Sequence, residues 1–152
     1  MNIITQSKWD TRFLKLAHEV AKWSKDPSTK VGCVLAKGKR IVSLGYNGLP
    51  MGVEDTLERL TDRDLKYEMT VHAEVNAVTT AAFHGVSTNG ATAYVTFHPC
   101  SRCAAVLINA GISTVVVSAH TIKCDRWLDS FQLAAQLLNE AGIGHEIVDP
   151  ES

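Results

Sequence analysis

From residue 91 onward, short runs of β-branched and small apolar residues alternate with stretches of helical length, and this alternation most restricts the fold. Residues 91–97, 113–118 (around Val115-Val116-Val117) and 144–148 have strand character. Between them, 99–110 and 128–141 have helical character, with Pro99 in the first turn of one helix and Gly111 stopping it. Strands joined by helical crossovers run parallel, with the helices covering the sheet.

The first half adds a helix and a hairpin. Trp9, Phe13, Leu16, Ala17, Val20 and Ala21 recur at helical spacing over 7–25. Ser7-Lys8-Trp9-Asp10 fits a capping box, and Asp26-Pro27 closes the segment. Strands over 31–36 and 41–46 flank the turn Lys37-Gly38-Lys39. Residues 47–55 are a loop, 56–69 are polar without a clear period, and 72–83 is a helix whose alanines permit close packing. The order α-β-β-α-β-α-β-α-β predicts an α/β fold, a three-layer α-β-α sandwich around a mixed five-stranded sheet. A length of 152 residues suits one domain, 1–152.

Fifteen basic residues against sixteen acidic ones leave a formal charge of −1. That balance argues against a dedicated nucleic-acid coat protein. No apolar run approaches the ~20 residues a spanning helix needs, and the N-terminus lacks an export signal, so a cytoplasmic location is expected. In a reducing compartment the four cysteines, at 33, 100, 103 and 124, point to metal or redox chemistry before disulfides.

The chemistry concentrates in His72-Ala73-Glu74 and, after 24 intervening residues, Pro99-Cys100-Ser101-Arg102-Cys103. A Cys-x-x-Cys pair alone reads equally as redox-active or metal-binding. With His72 it supplies three zinc ligands, which leave the fourth position open as in catalytic sites. Placement at helix N-termini favours the thiolates. Glu74, two residues from His72, is then free to act on a metal-activated water. The H-x-E…P-C-x-x-C pattern is a known signature of zinc nucleobase deaminases.

Further segments resemble the deoxycytidylate (dCMP) deaminase family of the cytidine deaminase superfamily. These are Lys25-Asp26-Pro27-Ser28-Thr29-Lys30-Val31-Gly32, Gly45-Tyr46-Asn47-Gly48-Leu49-Pro50-Met51-Gly52 and His72-Ala73-Glu74-Val75-Asn76-Ala77. The resemblance runs from about residue 9 to 148, and the Gly45–Gly52 loop is its most specific part. It implies a cytidine deaminase-like fold and zinc-dependent hydrolysis of dCMP to dUMP and ammonia, supplying dUMP for thymidylate synthesis. His72, Cys100 and Cys103 would hold one Zn2+ per chain, with Glu74 as proton shuttle. Asn47 would contact the sugar, its alternative being a turn residue before Gly48. Ser28, Thr29, Lys30 and Lys25 would meet the 5′-phosphate, or form a solvated turn. Phe97 would pack near the base.

The family's aromatic residue over the substrate has no Tyr counterpart in 118–127, which leaves Trp127 or a residue from elsewhere. The resemblance also implies a homohexamer with dCTP and dTTP as effectors, Mg2+ on the effector triphosphate, and Gly48, Glu54 and Asn76 as effector contacts. A helix-capping role is the alternative for Asn76. His98, Cys33, Cys124 and His120 read as structural or solvated. Competing readings are a tRNA- or DNA-editing deaminase of the same superfamily, a free-nucleoside or free-base deaminase and a non-catalytic zinc module.

Overall fold

The computed structural model describes residues 7–120 and 128–151. Helix α1 (Lys8–Ala21) starts at Ser7, whose hydroxyl accepts the Trp9 N–H at 3.2 Å. The capping box is only half made. Asp10 instead accepts the Tyr94 hydroxyl at 2.8 Å, tying the helix to the sheet. The helix also stops short of Lys25, at Ala21 with Lys22 as C-cap. Its apolar stripe, Phe13, Leu14, Ala17, Val20 and Ala21, is buried.

Strands β1 (Gly32–Lys37) and β2 (Arg40–Tyr46) form the expected hairpin. β3 (Thr92–Val95), β4 (Thr114–Ser118) and β5 (Gly144–Val148) complete a sheet of order β2-β1-β3-β4-β5. β1 pairs antiparallel with β2 and β3, while β3, β4 and β5 are parallel. The mixed sheet expected from the element order is therefore present.

Helices α4 (Ala73–His84), α5 (Ser101–Asn109) and α6 (Leu128–Glu140) lie opposite α1. One core joins Cys33, Leu35, Ala93, Val95, Val115 and Val117 to Ala77, Leu107 and Leu138. The other joins Val34, Ala36, Tyr94 and Val116 to Phe13, Leu14 and Ala17. Alternate residues of each inner strand thus enter opposite layers, so both faces of the sheet are dry.

Two glycines set the layer spacing. A Cβ on Gly32 would lie 2.8 Å from Ala21 N, and one on Gly45 would lie 2.6 Å from Ala73 O. Only a residue without a side chain lets β1 approach α1, and β2 approach α4, this closely.

The polar stretch 56–69 forms two short helices, α2 (Leu57–Thr61) and α3 (Arg63–Met69). Neither contains a buried residue, which is why no apolar period marks them in the sequence. Each is nucleated by a side-chain cap, Thr56 Oγ1 on Arg59 N and Asp62 Oδ1 on Leu65 N. Among the described residues no helix is long and apolar enough to cross a membrane.

Candidate metal centre and active site

The strand that leaves the middle of the sheet builds half of the site. After β3 the chain runs through Thr96, Phe97, His98 and Pro99 to Cys100, the N-cap of α5. Thr96 fixes this exit. Its N–H donates to Gly32 O at 3.1 Å, and its hydroxyl accepts the Gly32 N–H at 3.0 Å. The other half is the start of α4, where His72 is the N-cap and Glu74 sits in the first turn. His72 and Cys100 thus stand at the starts of two helices, with their side chains turned toward each other.

His72 Nδ1 lies 3.2 Å from Cys103 Sγ and 3.6 Å from Cys100 Sγ. The ligand atoms of His72, Cys100 and Cys103 all fall within 4.8 Å of one another. Zn–N and Zn–S bonds of about 2.05 and 2.3 Å at tetrahedral angles put N and S roughly 3.6 Å apart. The three side chains therefore fit zinc in both donor type and spacing.

The local electrostatics suit a cation. Cys100 is pulled down to about 4, first because the Cys103 thiol donates to it and further by His72, against the effect of burial. Cys103 is pushed up by the same hydrogen bond and by burial. His72 is raised by its hydrogen bond to Cys100. A divalent cation would displace the Cys103 proton on binding. Glu74 is only 3% exposed, and burial raises its carboxyl against the pull of Cys103 and His72.

These groups open onto a cavity of about 400 Å3, lined by His72, Glu74 and Cys100. The same cavity is lined by a second polar group, Asp26, Ser28, Thr29, Arg63 and Lys66. Asp26 Oδ1 accepts the Ser28 N–H, the Ser28 hydroxyl and the Thr29 N–H at 2.8, 3.0 and 3.0 Å. Burial pushes the Asp26 carboxyl up, but these donors and Lys66 outweigh it and hold it below its ordinary value. Lys66 Nζ donates to Ser28 Oγ at 2.8 Å and lies 3.3 Å from Asp26. Arg63 stacks on Tyr67 and, among the described residues, has no carboxylate partner.

Asn47 and Phe97 also line this cavity. Both ends of the Asn47 amide hold the chain before β1: Oδ1 accepts Val31 N–H at 2.8 Å and Nδ2 donates to Thr29 O at 2.9 Å. Phe97 stacks edge-on against Phe131 of α6, with centroids 5.3 Å apart. His98 packs on Phe131 at 4.9 Å and on His145 at 4.9 Å, in keeping with a structural role. Cys33 is fully buried in the core.

Other candidates lie elsewhere. Lys25 pairs with Asp55 at 2.9 Å and lines a second cavity of about 120 Å3, together with Gly48. Gly48 bridges to Val71 through two backbone hydrogen bonds. Asn76 Nδ2 donates to Tyr46 O at 2.8 Å, and the Glu54 carbonyl accepts from Arg59. Lys30 donates to Ser24 O. Trp127 and Cys124 lie outside the described residues.

Several lining residues escape the sequence reading, Arg63, Lys66 and Phe131 among them. Arg63 and Lys66 are three apart on one helical face, a spacing visible only once 63–69 is known to be helical. Phe131 reads as one more apolar residue of α6, and nothing in its pattern separates it from the core.

His72, Cys100 and Cys103, grouped at two helix starts where they could hold a metal, and the adjacent Glu74 have the form of a zinc-binding deaminase domain. Residues 7–119 match the model of the cytidine and deoxycytidylate deaminase zinc-binding region. An uncharacterized deaminase of the luxG 3′ region in Aliivibrio fischeri is 42% identical over 90% of this chain and 91% of its own length. The deoxycytidylate deaminase of Homo sapiens is 34% identical over 90% of this chain and 77% of its own length. The dCMP deaminase of cyanophage S-TIM5, solved with dCMP and dUMP, shares the fold at a TM-score of 0.76 and 24% identity, over 95% of this chain and 99% of its own. The chain belongs to the cytidine and deoxycytidylate deaminase family, whose members are hydrolases acting on C–N bonds.

Proposed function

We propose that the protein hydrolyses dCMP to dUMP and ammonia. One observation carries the reading: a single cavity is lined both by the His72, Cys100 and Glu74 group and by the cationic group of Ser28, Thr29, Arg63 and Lys66. A pyrimidine nucleotide presents a reactive ring and a phosphate, and needs both kinds of surface. The human relative, named deoxycytidylate deaminase, supports the substrate class.

When bound, zinc supplies Lewis-acid activation of the attacking water. His72 Nδ1 and the sulfurs of Cys100 and Cys103 would hold it. Glu74 takes a proton from that water and delivers it to N3 of the pyrimidine, making C4 electrophilic. The C4–O bond forms, Glu74 takes the remaining proton from the added hydroxyl and passes it to the 4-amino nitrogen, and the C4–N bond breaks to release ammonia as the C4 carbonyl forms. Burial of Glu74, which raises its carboxyl, suits a group that must both accept and return a proton. Phe97 and Phe131 wall the base. Asn47, its amide largely engaged, meets the sugar through its remaining lone pair or N–H.

The phosphate is held by Ser28, Thr29, Lys66 and Arg63. Asp26 neutralises one of the two cations, and the other leaves a net positive charge for the anion. Lys25, paired with Asp55, stands at the smaller cavity, which shares Asp26, Asn47 and Thr70 with the first, and adds charge from there. That smaller cavity, lined by Gly48 and close to the bonds of Asn76, is the place for dCTP or dTTP, with Glu54 nearby in sequence and Mg2+ entering only as a counter-ion of the triphosphate. Assembly as a homohexamer completes the reading.

Ammonia release from dCMP, CMP, deoxycytidine and dCTP by zinc-loaded protein tests it. The expected result is fastest turnover of dCMP. Absence of ammonia from dCMP overturns the reading.

A further inference from the structure

Cys100 occupies the N-cap of α5, a position whose side chain reaches the N2 or N3 amide and leaves the N1 amide open. The first free amide, Ser101 N–H, finds its acceptor on another helix: it donates to Ser130 Oγ of α6 at 3.0 Å. The Ser130 hydroxyl is also 3.3 Å from Ser101 Oγ and donates to it. The next residue of α6, Phe131, packs on Phe97 and His98, just before Pro99-Cys100. One turn of α6 therefore grips the chain on both sides of a metal ligand.

We propose that Ser130 is a positioning residue for the metal centre, a cap supplied in trans that fixes the direction of the Cys100 sulfur. The inference rests on the zinc reading of His72, Cys100 and Cys103. The physical reason is the open N1 amide. A side chain at the N-cap bonds the N2 or N3 amide. Ser101 N–H, at N1, needs an outside oxygen if the helix start beside Cys100 is to stay ordered. Groups that orient ligands from behind typically change metal affinity 10–100-fold when removed.

Thr88 provides an internal control. Its hydroxyl donates to Ala110 O at 2.7 Å, at the far end of the same helix. The experiment is zinc affinity by chelator competition, with the absorption spectrum of the Co2+-substituted protein as a report on coordination. Ser130→Ala is expected to weaken zinc binding about 10–100-fold and shift the Co2+ spectrum. Ser130→Thr restores both, and Thr88→Ala leaves both within about twofold. If the Ala variant does not fold, Ser130→Thr against Ser130→Val, equal in shape and differing in the hydroxyl, carries the same comparison. Equal zinc affinity with and without the hydroxyl, or an equal loss in Thr88→Ala, overturns the inference. A wild-type protein that takes up no zinc overturns the metal-centre reading and this inference together.

Discussion

Lys66, on α3, reaches to within 2.8 Å of the Ser28 hydroxyl, 38 residues earlier in the chain. This contact brings a cation from a polar helix with no buried residue to the turn that Asp26 organises.

If the turn and the helix form the phosphate subsite, selectivity depends on them. Arg63→Gln and Lys66→Met should each lower kcat/KM for dCMP about 10–100-fold, or about 1.4–2.8 kcal/mol. Deoxycytidine, lacking the anion, should lose less than about threefold. Steady-state kinetics on both substrates decide it, and equal losses on the two would place the phosphate elsewhere.

The ring pair Phe97–Phe131 gives a second expectation. Phe131→Ala removes one wall of the cavity and the packing on His98. It should raise KM for dCMP by about tenfold, and Phe131→Tyr should restore most of it. An unchanged KM in the Ala variant would show that the base does not lie against α6.

Acid should destabilise the fold in two stages. Burial holds His18 and His145 below their ordinary value, so between that value and the folded one the unfolded chain binds more protons. Their contribution is full above about pH 6.5 and declines as pH falls below it. Asp26, held low, contributes above about pH 4, and that part is lost as pH falls further. Thermal unfolding from pH 8 to 3 should show Tm falling in both windows, and a Tm that rises between pH 7 and 5 would contradict the histidine assignment.

Gly45 gives a packing test. Gly45→Ala places a methyl group against the backbone of Ala73 and Ala77, at the start of the helix that carries Glu74. Overpacking of this kind costs about 1–3 kcal/mol. Chemical denaturation should show that loss, and a neutral result would mean that α4 can shift away from β2.

The hairpin and the parallel run of the last three strands are legible in the sequence because each depends on local signals. The Val115-Val116-Val117 run and the hairpin turn at Gly38 are short-range patterns, as is the spacing within Cys100-Ser101-Arg102-Cys103. Lys66 and Arg63 are not legible in the same way, since α3 buries nothing and leaves no apolar trace. Lys25 adjoins the Asp26 turn in sequence, while its pairing with Asp55, 30 residues on, has no local signal. Ser130 depends on a contact between two helices that no spacing announces.

The central claim is that Glu74 carries protons beside a metal held by His72, Cys100 and Cys103. Zinc content and dCMP turnover measured together on Glu74→Gln test it most directly. The account predicts one zinc per chain, as in the wild type, with the rate reduced at least about 100-fold. Full turnover by that variant would contradict it.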